Sequence, residues 1–121
     1  MNTRLKMQEV VPEAYKIMLQ FEHYLAGAQI GPLQKELIKM RASQINGCAF
    51  CLNMHSKAAL KLGENPQRLF VLDAWRDTDF FTEEEQAILA LTEEVTLIPQ
   101  HVSDETYDRA LNVLGEKTLA Q

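Results

Sequence analysis

Two cysteines, a histidine and a glutamate are the residues here whose types and spacing could do chemistry. All four lie in one stretch, ELIKMRASQINGCAFCLNMH, from Glu36 to His55. Cys48 and Cys51 are the only cysteines and form a C-x-x-C pair, with Gly47 directly before them and His55 four residues after Cys51. Such a pair in a reducing compartment reads as redox-active, as metal-binding, or as two buried structural thiols. The redox reading has a mechanism. Unpaired backbone N–H groups at the start of a helix stabilise a thiolate, and a separation of three lets one sulfur reach the other. For metal, Cys48, Cys51 and His55 offer three ligands, but a closed zinc site needs a fourth, which His23 or His101 could supply only through the fold. His55 alone reads as a core histidine bonded to a carbonyl, and its register with both cysteines brings the reading as a proton carrier level with that one. Glu36 falls beside Lys35, Lys39 and Ser43 on a helical wheel, which suggests a solvated carboxylate paired with lysine.

The elements that must position these residues read as helices. Cys48, Cys51 and His55 fall within about 60° of one another on a wheel. Leu52, Ala59 and Leu62 share that arc, while Asn53, Lys57 and Lys61 lie opposite, so the thiols are expected on the core-facing stripe. This helix runs from about Cys48 to Leu62. The one before it spans roughly Pro32 to Ile45, is apolar around most of its circumference, and stops at Asn46-Gly47, which supplies a left-handed residue. Further upstream, Pro12 starts a helix ending near Gly27, and the first ten residues read as a loose arm.

Downstream, Asn65-Pro66 opens a short helix through Ala74, and WRDTDFF reads as a connector. Thr82 with Glu85 makes a capping box for a helix reaching about Ile98. Ser103 caps another helix through Leu114, and EKTLAQ reads as the first turn of a final helix, truncated at Gln121. No segment alternates long enough for a strand. Tyr107, Asp73, Trp75 and His101 read as packing, capping or surface residues. The expectation is one all-α domain over residues 1–121.

Composition narrows the class. The chain is 46% hydrophobic but only 7% aromatic, a helical rather than a β-sandwich mixture. A net charge of −5 without a basic cluster argues against a nucleic-acid partner. No apolar run approaches a membrane span and no signal-peptide core opens the chain. A cytoplasmic protein is expected.

The pattern E-x11-C-x-x-C-x3-H, with Asn46-Gly47 before the first cysteine, resembles the core motif of the AhpD-like, carboxymuconolactone decarboxylase family. TEEEQAILALTEEVTLIP and LGEKTLAQ resemble that family's next long helix and the start of its last. The resemblance implies an AhpD-like helical bundle that assembles as trimers or hexamers and acts as a thiol-dependent peroxidase or disulfide reductase without a cofactor. It implies that Cys51 is the thiol oxidised by a hydroperoxide, that Cys48 resolves it, and that Glu36 and His55 relay protons. A thiol reductant would close the cycle. The decarboxylase branch uses no cysteine pair. The chain departs from alkylhydroperoxide reductase partners in carrying Phe50 where they have a histidine, and in having one helical unit rather than two. On position alone the first thiol to react would be Cys48, nearer the helix start. The resemblance favours Cys51, one turn from His55, and Cys51 is the expectation adopted here. Phe50 and Met54, one turn apart on an otherwise polar face, together with the all-round apolar second helix, predict a homo-oligomer.

Overall fold

The computed structural model describes residues 4–121, and among them every regular element is helical. They fall into two compact units. In the first, which runs up to Gln29 and includes Gln121, α1 (Met7–Val10) precedes α2 (Pro12–Ala26). The second, Ile30–Ala120, holds α3 (Pro32–Asn46), α4 (Ala49–Lys61), α5 (Pro66–Phe70), α6 (Glu83–Thr96), α7 (Asp104–Leu114) and α8 (Glu116–Ala120). Short 3₁₀ turns cover Leu72–Asp77 and Ile98–Gln100.

Local chemistry sets most of these boundaries. Asn65 Oδ1 accepts the Gln67 N–H at 2.9 Å with Pro66 in the first turn. Thr82 Oγ1 accepts the Glu85 N–H at 3.1 Å while Glu85 Oε1 accepts the Thr82 N–H at 3.0 Å, closing both halves of the box. Ser103 Oγ accepts the Thr106 N–H at 3.2 Å. Two expectations need correcting. The opening arm is not wholly loose, since Met7–Val10 closes one helical turn; Met1–Thr3 lie outside the described residues. WRDTDFF is not a bare connector, because its first three residues finish a 3₁₀ turn begun at Leu72, and Trp75 and Phe81 are buried.

In the second unit α3 is the central element, packing against both α4 and α6. Leu37, Leu72 and Leu89 are essentially solvent-free and form the middle of a cluster with Met40, Ala59, Leu69, Trp75, Phe81 and Ala90. Each of the leucine, methionine and phenylalanine side chains contributes about 1.5–3 kcal/mol on burial, and the cluster fixes the face of α3 that carries Leu37, next to Glu36.

A polar hub ties α3 to α6. Glu93 Oε2 accepts from Arg41 Nε and Nη2 at 3.1 and 2.7 Å, and Glu93 Oε1 accepts from Trp75 Nε1 at 3.0 Å and from Arg76. Burial works against the charged carboxylate. The bonds from Arg41, Arg76 and Trp75 outweigh it and hold Glu93 below the ordinary carboxylate range. A depressed native value stabilises the fold above the unfolded carboxylate pKa, and that stabilisation is lost as pH falls through the native value. Glu93→Gln should therefore cost about 3 kcal/mol at neutral pH, because it leaves the Arg41 charge poorly compensated. The gap to the unmodified chain should close in acid, as urea midpoints measured across the acidic range would reveal. A gap that is constant with pH would contradict this.

Candidate active site

The site is built at the joint between α3 and α4, which is only Gly47 and Cys48 long. Gly47 takes a left-handed conformation, φ 63° and ψ 33°, and the Cys48 N–H reaches back to the Ser43 carbonyl at 3.1 Å. That is a Schellman closure, in which the bond from the residue after the glycine ends α3 and sets the direction of the chain. Cys48 is at once the N-cap of α4. Its backbone is extended, its carbonyl accepts the Leu52 N–H at 2.9 Å, and its Sγ accepts the Cys51 N–H at 3.3 Å. The two cysteines are joined as a disulfide with Cα atoms 5.3 Å apart.

This corrects the wheel reading of Cys48, which stands just outside the helix and not on its stripe. Leu62 is the C-cap of α4 and 47% exposed, so it leaves the core-facing arc as well. The remainder of the face behaves as expected. Leu52 packs against the core, Ala59 is fully buried, and Asn53, Lys57 and Lys61 are exposed.

Substituting Gly47 tests the joint directly. A Cβ there would meet no atom within 4 Å, so the cost of Gly47→Ala is conformational and not a clash. A left-handed alanine costs about 1–2 kcal/mol. The expected result is a folding free energy lower by that amount, read from denaturant midpoints, together with slower disulfide closure, read by thiol titration after mild oxidation. An unchanged closure rate would show that the turn does not position the pair.

His55 lies one turn beyond Cys51 on α4, and its Nδ1 is 2.9 Å from Glu36 Oε2 on α3. The side chains are only 17% and 14% exposed. Glu36 is therefore not the solvated partner of a lysine that its wheel position suggested. Its carboxylate is turned to the histidine, 19 residues away. An ionised carboxylate only accepts, so Nδ1 carries the hydrogen whenever Glu36 is charged, and Nε2 is then the ring nitrogen free to take or give a proton. The structure joins the four residues singled out in the sequence as two pairs, Cys48 with Cys51 by a bond and Glu36 with His55 by a hydrogen bond, and one member of each pair, Cys51 and His55, lies on α4 one turn apart. Ser43, which the sequence placed only beside Glu36 on the wheel, is buried in α3, and its carbonyl accepts the Cys48 N–H. No pattern of residue types marks a backbone acceptor.

Among the described residues no group of three or more His, Cys, Asp and Glu side chains is placed to hold a metal ion. His101, one of the two histidines considered as a fourth ligand, is exposed. No helix among the described residues is long and apolar enough to cross a membrane.

The model of the carboxymuconolactone decarboxylase family matches residues 12–94, a span that contains the whole Glu36–His55 stretch. The chain belongs to the carboxymuconolactone decarboxylase family. It is 47% identical over 110 residues to the uncharacterized protein YdfG of Bacillus subtilis, covering 90% of this chain and 75% of that one. The uncharacterized protein YnjA of Escherichia coli is 32% identical over 76 residues, 62% of this chain and 41% of YnjA. Among solved structures, a protein of unknown function from Agrobacterium tumefaciens, proposed to be the antioxidant defence protein AhpD, superposes with a TM-score of 0.91 at 31% identity. The superposition covers 98% of this chain and 86% of that one. The fold is thus the AhpD-like helical one.

Proposed function

We propose that this member of the carboxymuconolactone decarboxylase family is a thiol-dependent peroxidase that reduces hydroperoxides through a Cys48–Cys51 dithiol–disulfide cycle. One observation carries the reading: the disulfide closes the first turn of the same helix that presents His55, whose ring is held by Glu36 at 2.9 Å. A peroxidase needs a thiolate, a second thiol within reach, and a group that delivers a proton to the departing alkoxide. Cys51 supplies the first, Cys48 the second, and His55 with Glu36 the third. Cys51 takes the peroxide because His55 stands one turn from it on α4, whereas Cys48 lies two turns from the ring. No resident cofactor is required. The partners are a hydroperoxide and a dithiol or equivalent reductant, with neither nucleic acid nor membrane involved. The cytoplasm, where thiols are kept reduced, suits such a cycle.

Thiol counting tests this. The reduced chain treated with one equivalent of an alkyl hydroperoxide should lose two thiols, and dithiothreitol should restore both. Metal analysis of the same sample separates the zinc alternative, in which the thiols stay unreactive until chelation.

The chain is also expected to act as a homo-oligomer, a trimer or a multiple of it. Phe50 and Met54 are 75% and 45% exposed, one turn apart on α4, and apolar side chains so placed gain from a second contact. Light scattering should return an oligomeric mass at micromolar concentration, and a monomeric mass would reject this.

A further inference from the structure

None of the 15 residues of α2 is buried, yet its apolar residues are ordered as though for packing. Ala14, Ile17, Met18, Phe21, Tyr24 and Leu25 recur at the spacing of a helix seam and fall within about 120° of the wheel. Ile17, Met18, Phe21 and Tyr24 are each more than half exposed, and the Phe21 and Tyr24 rings stack with centroids 6.4 Å apart. A helix of this length is marginal in water unless such a face is covered. We propose that a second copy of this chain covers it, receiving α2 along Phe50, Met54, Lys57 and Lys61 of its own α4, beside Cys51. This contact rests on the homo-oligomer expected above, names the two faces that meet in it, and does not depend on the thiol cycle.

Charge and register choose this partner. Phe50, Met54, Lys57 and Lys61 lie within about 60° of one another on α4, and all four are exposed. That face is apolar in its first half and basic in its second. Along α2 the order is reversed. Glu13 stands at the edge of the stripe in the first turn, with Lys16 and His23 on the opposite side, and the stacked Phe21 and Tyr24 follow in the last two turns. Laid antiparallel, Phe21 against Met54 brings Leu25 to Phe50 and Glu13 to the level of Lys61. The spacings agree, since Glu13 to Phe21 rises about 12 Å and Met54 to Lys61 about 10.5 Å. A parallel pairing in the same register would carry Glu13 past the start of α4 and set the two lysines against Tyr24 and Ala28. Two α2 stripes facing each other would leave Phe50 and Met54 uncovered. An anionic bilayer is a poorer occupant, because Arg4, Lys6 and Lys16 are balanced by Glu9, Glu13 and Glu22 and no basic face draws the headgroups. The two faces are unlike, so the contact is either exchanged between two copies or closes a ring of them. Tyr24 of the second copy then stands level with Cys51, and the approach to the thiol pair is bordered by two chains.

The test uses the full chain with p-benzoylphenylalanine in place of Phe21, irradiated at micromolar concentration. The expected product is a covalent dimer on a denaturing gel, in which mass spectrometry finds position 21 joined to residues 50–61. A dimer joined at any other segment, or position 21 joined only within its own chain or to nothing, would overturn the proposal. Vesicles of phosphatidylcholine and phosphatidylglycerol added before irradiation should leave the dimer yield unchanged. Loss of the dimer as the chain sediments with the vesicles would equally overturn it. Exchanging the charges supplies a second readout. Glu13→Lys and Lys61→Glu should each weaken assembly about threefold or more in analytical ultracentrifugation, and the double variant should restore it; effects that add would reject the pairing. A monomeric mass for the parent chain would reject the oligomer and this contact together, whereas an oligomer joined elsewhere would reject the contact alone. Failure of peroxide turnover would reject only the peroxidase reading.

Discussion

In the Cys48→Ser variant, a stoichiometric hydroperoxide is expected to leave a sulfenic acid on Cys51 that a dimedone-type probe traps. With no second thiol to attack it, the intermediate has no internal route to a disulfide. Cys51→Ser should lower peroxide turnover by at least about 10³-fold, since it removes the attacking atom itself. Cys48 should then stay largely unlabelled at the same dose, because no proton donor stands one turn from it. Both positions are half-buried and their side chains differ little in volume from serine, so melting temperatures of the reduced variants should stay close to that of the reduced parent. Label found only on Cys48 would exchange the roles of the two thiols. Label on neither would remove the peroxidase reading altogether.

Loss of the relay should be the next largest effect. His55→Gln and Glu36→Gln are each expected to slow peroxide turnover roughly 10²-fold or more, the usual worth of a positioned proton donor. The two act through one hydrogen bond, at 2.9 Å. The double variant should therefore be little slower than the worse single one, and that shortfall from additivity is the signature of a shared path. Each amide can still hydrogen-bond across α3 and α4, so stability should change by about 1 kcal/mol or less. Steady-state rates with an alkyl hydroperoxide, set beside denaturant midpoints, separate the cases. Unchanged turnover with a large fall in stability would mean that the pair serves the fold.

The parts of this molecule legible in the sequence are those governed by neighbours a few residues apart. Asn46-Gly47, Asn65-Pro66, Thr82 with Glu85, and Ser103 each mark a helix end, because capping satisfies the first N–H groups or the last carbonyls of a helix from residues only a few positions away. The C-x-x-C pair with His55 was legible for the same reason. Glu36 was not legible from periodicity, since what removes it from solvent is a ring on another helix, and only the resemblance pointed to it. The Glu93 hub was not legible at all. It joins Arg41, Trp75 and Arg76 from two other segments, and a glutamate within EE on an acidic helix carries no local sign of such partners. Cys48 shows how narrow the margin is. A displacement of one residue in the helix start took it from the stripe to the cap, and so from one of several core-facing side chains to the acceptor of the first-turn N–H.

The ring closed by Cys48 and Cys51 spans only four residues. So short a crosslink removes little freedom from an unfolded chain, about 2 kcal/mol on loop-closure arguments, against about 3 for a fifteen-residue loop. On the proposed cycle each turnover would make and break this bond, and the oxidised and reduced folds are expected to differ in stability by about that small amount. The bonds that shape the corner, from Cys48 N–H to Ser43 and from Leu52 N–H to Cys48, are made by backbone atoms and need no disulfide. A thiol pair seated this way would change oxidation state while the backbone bonds that hold its corner stay in place.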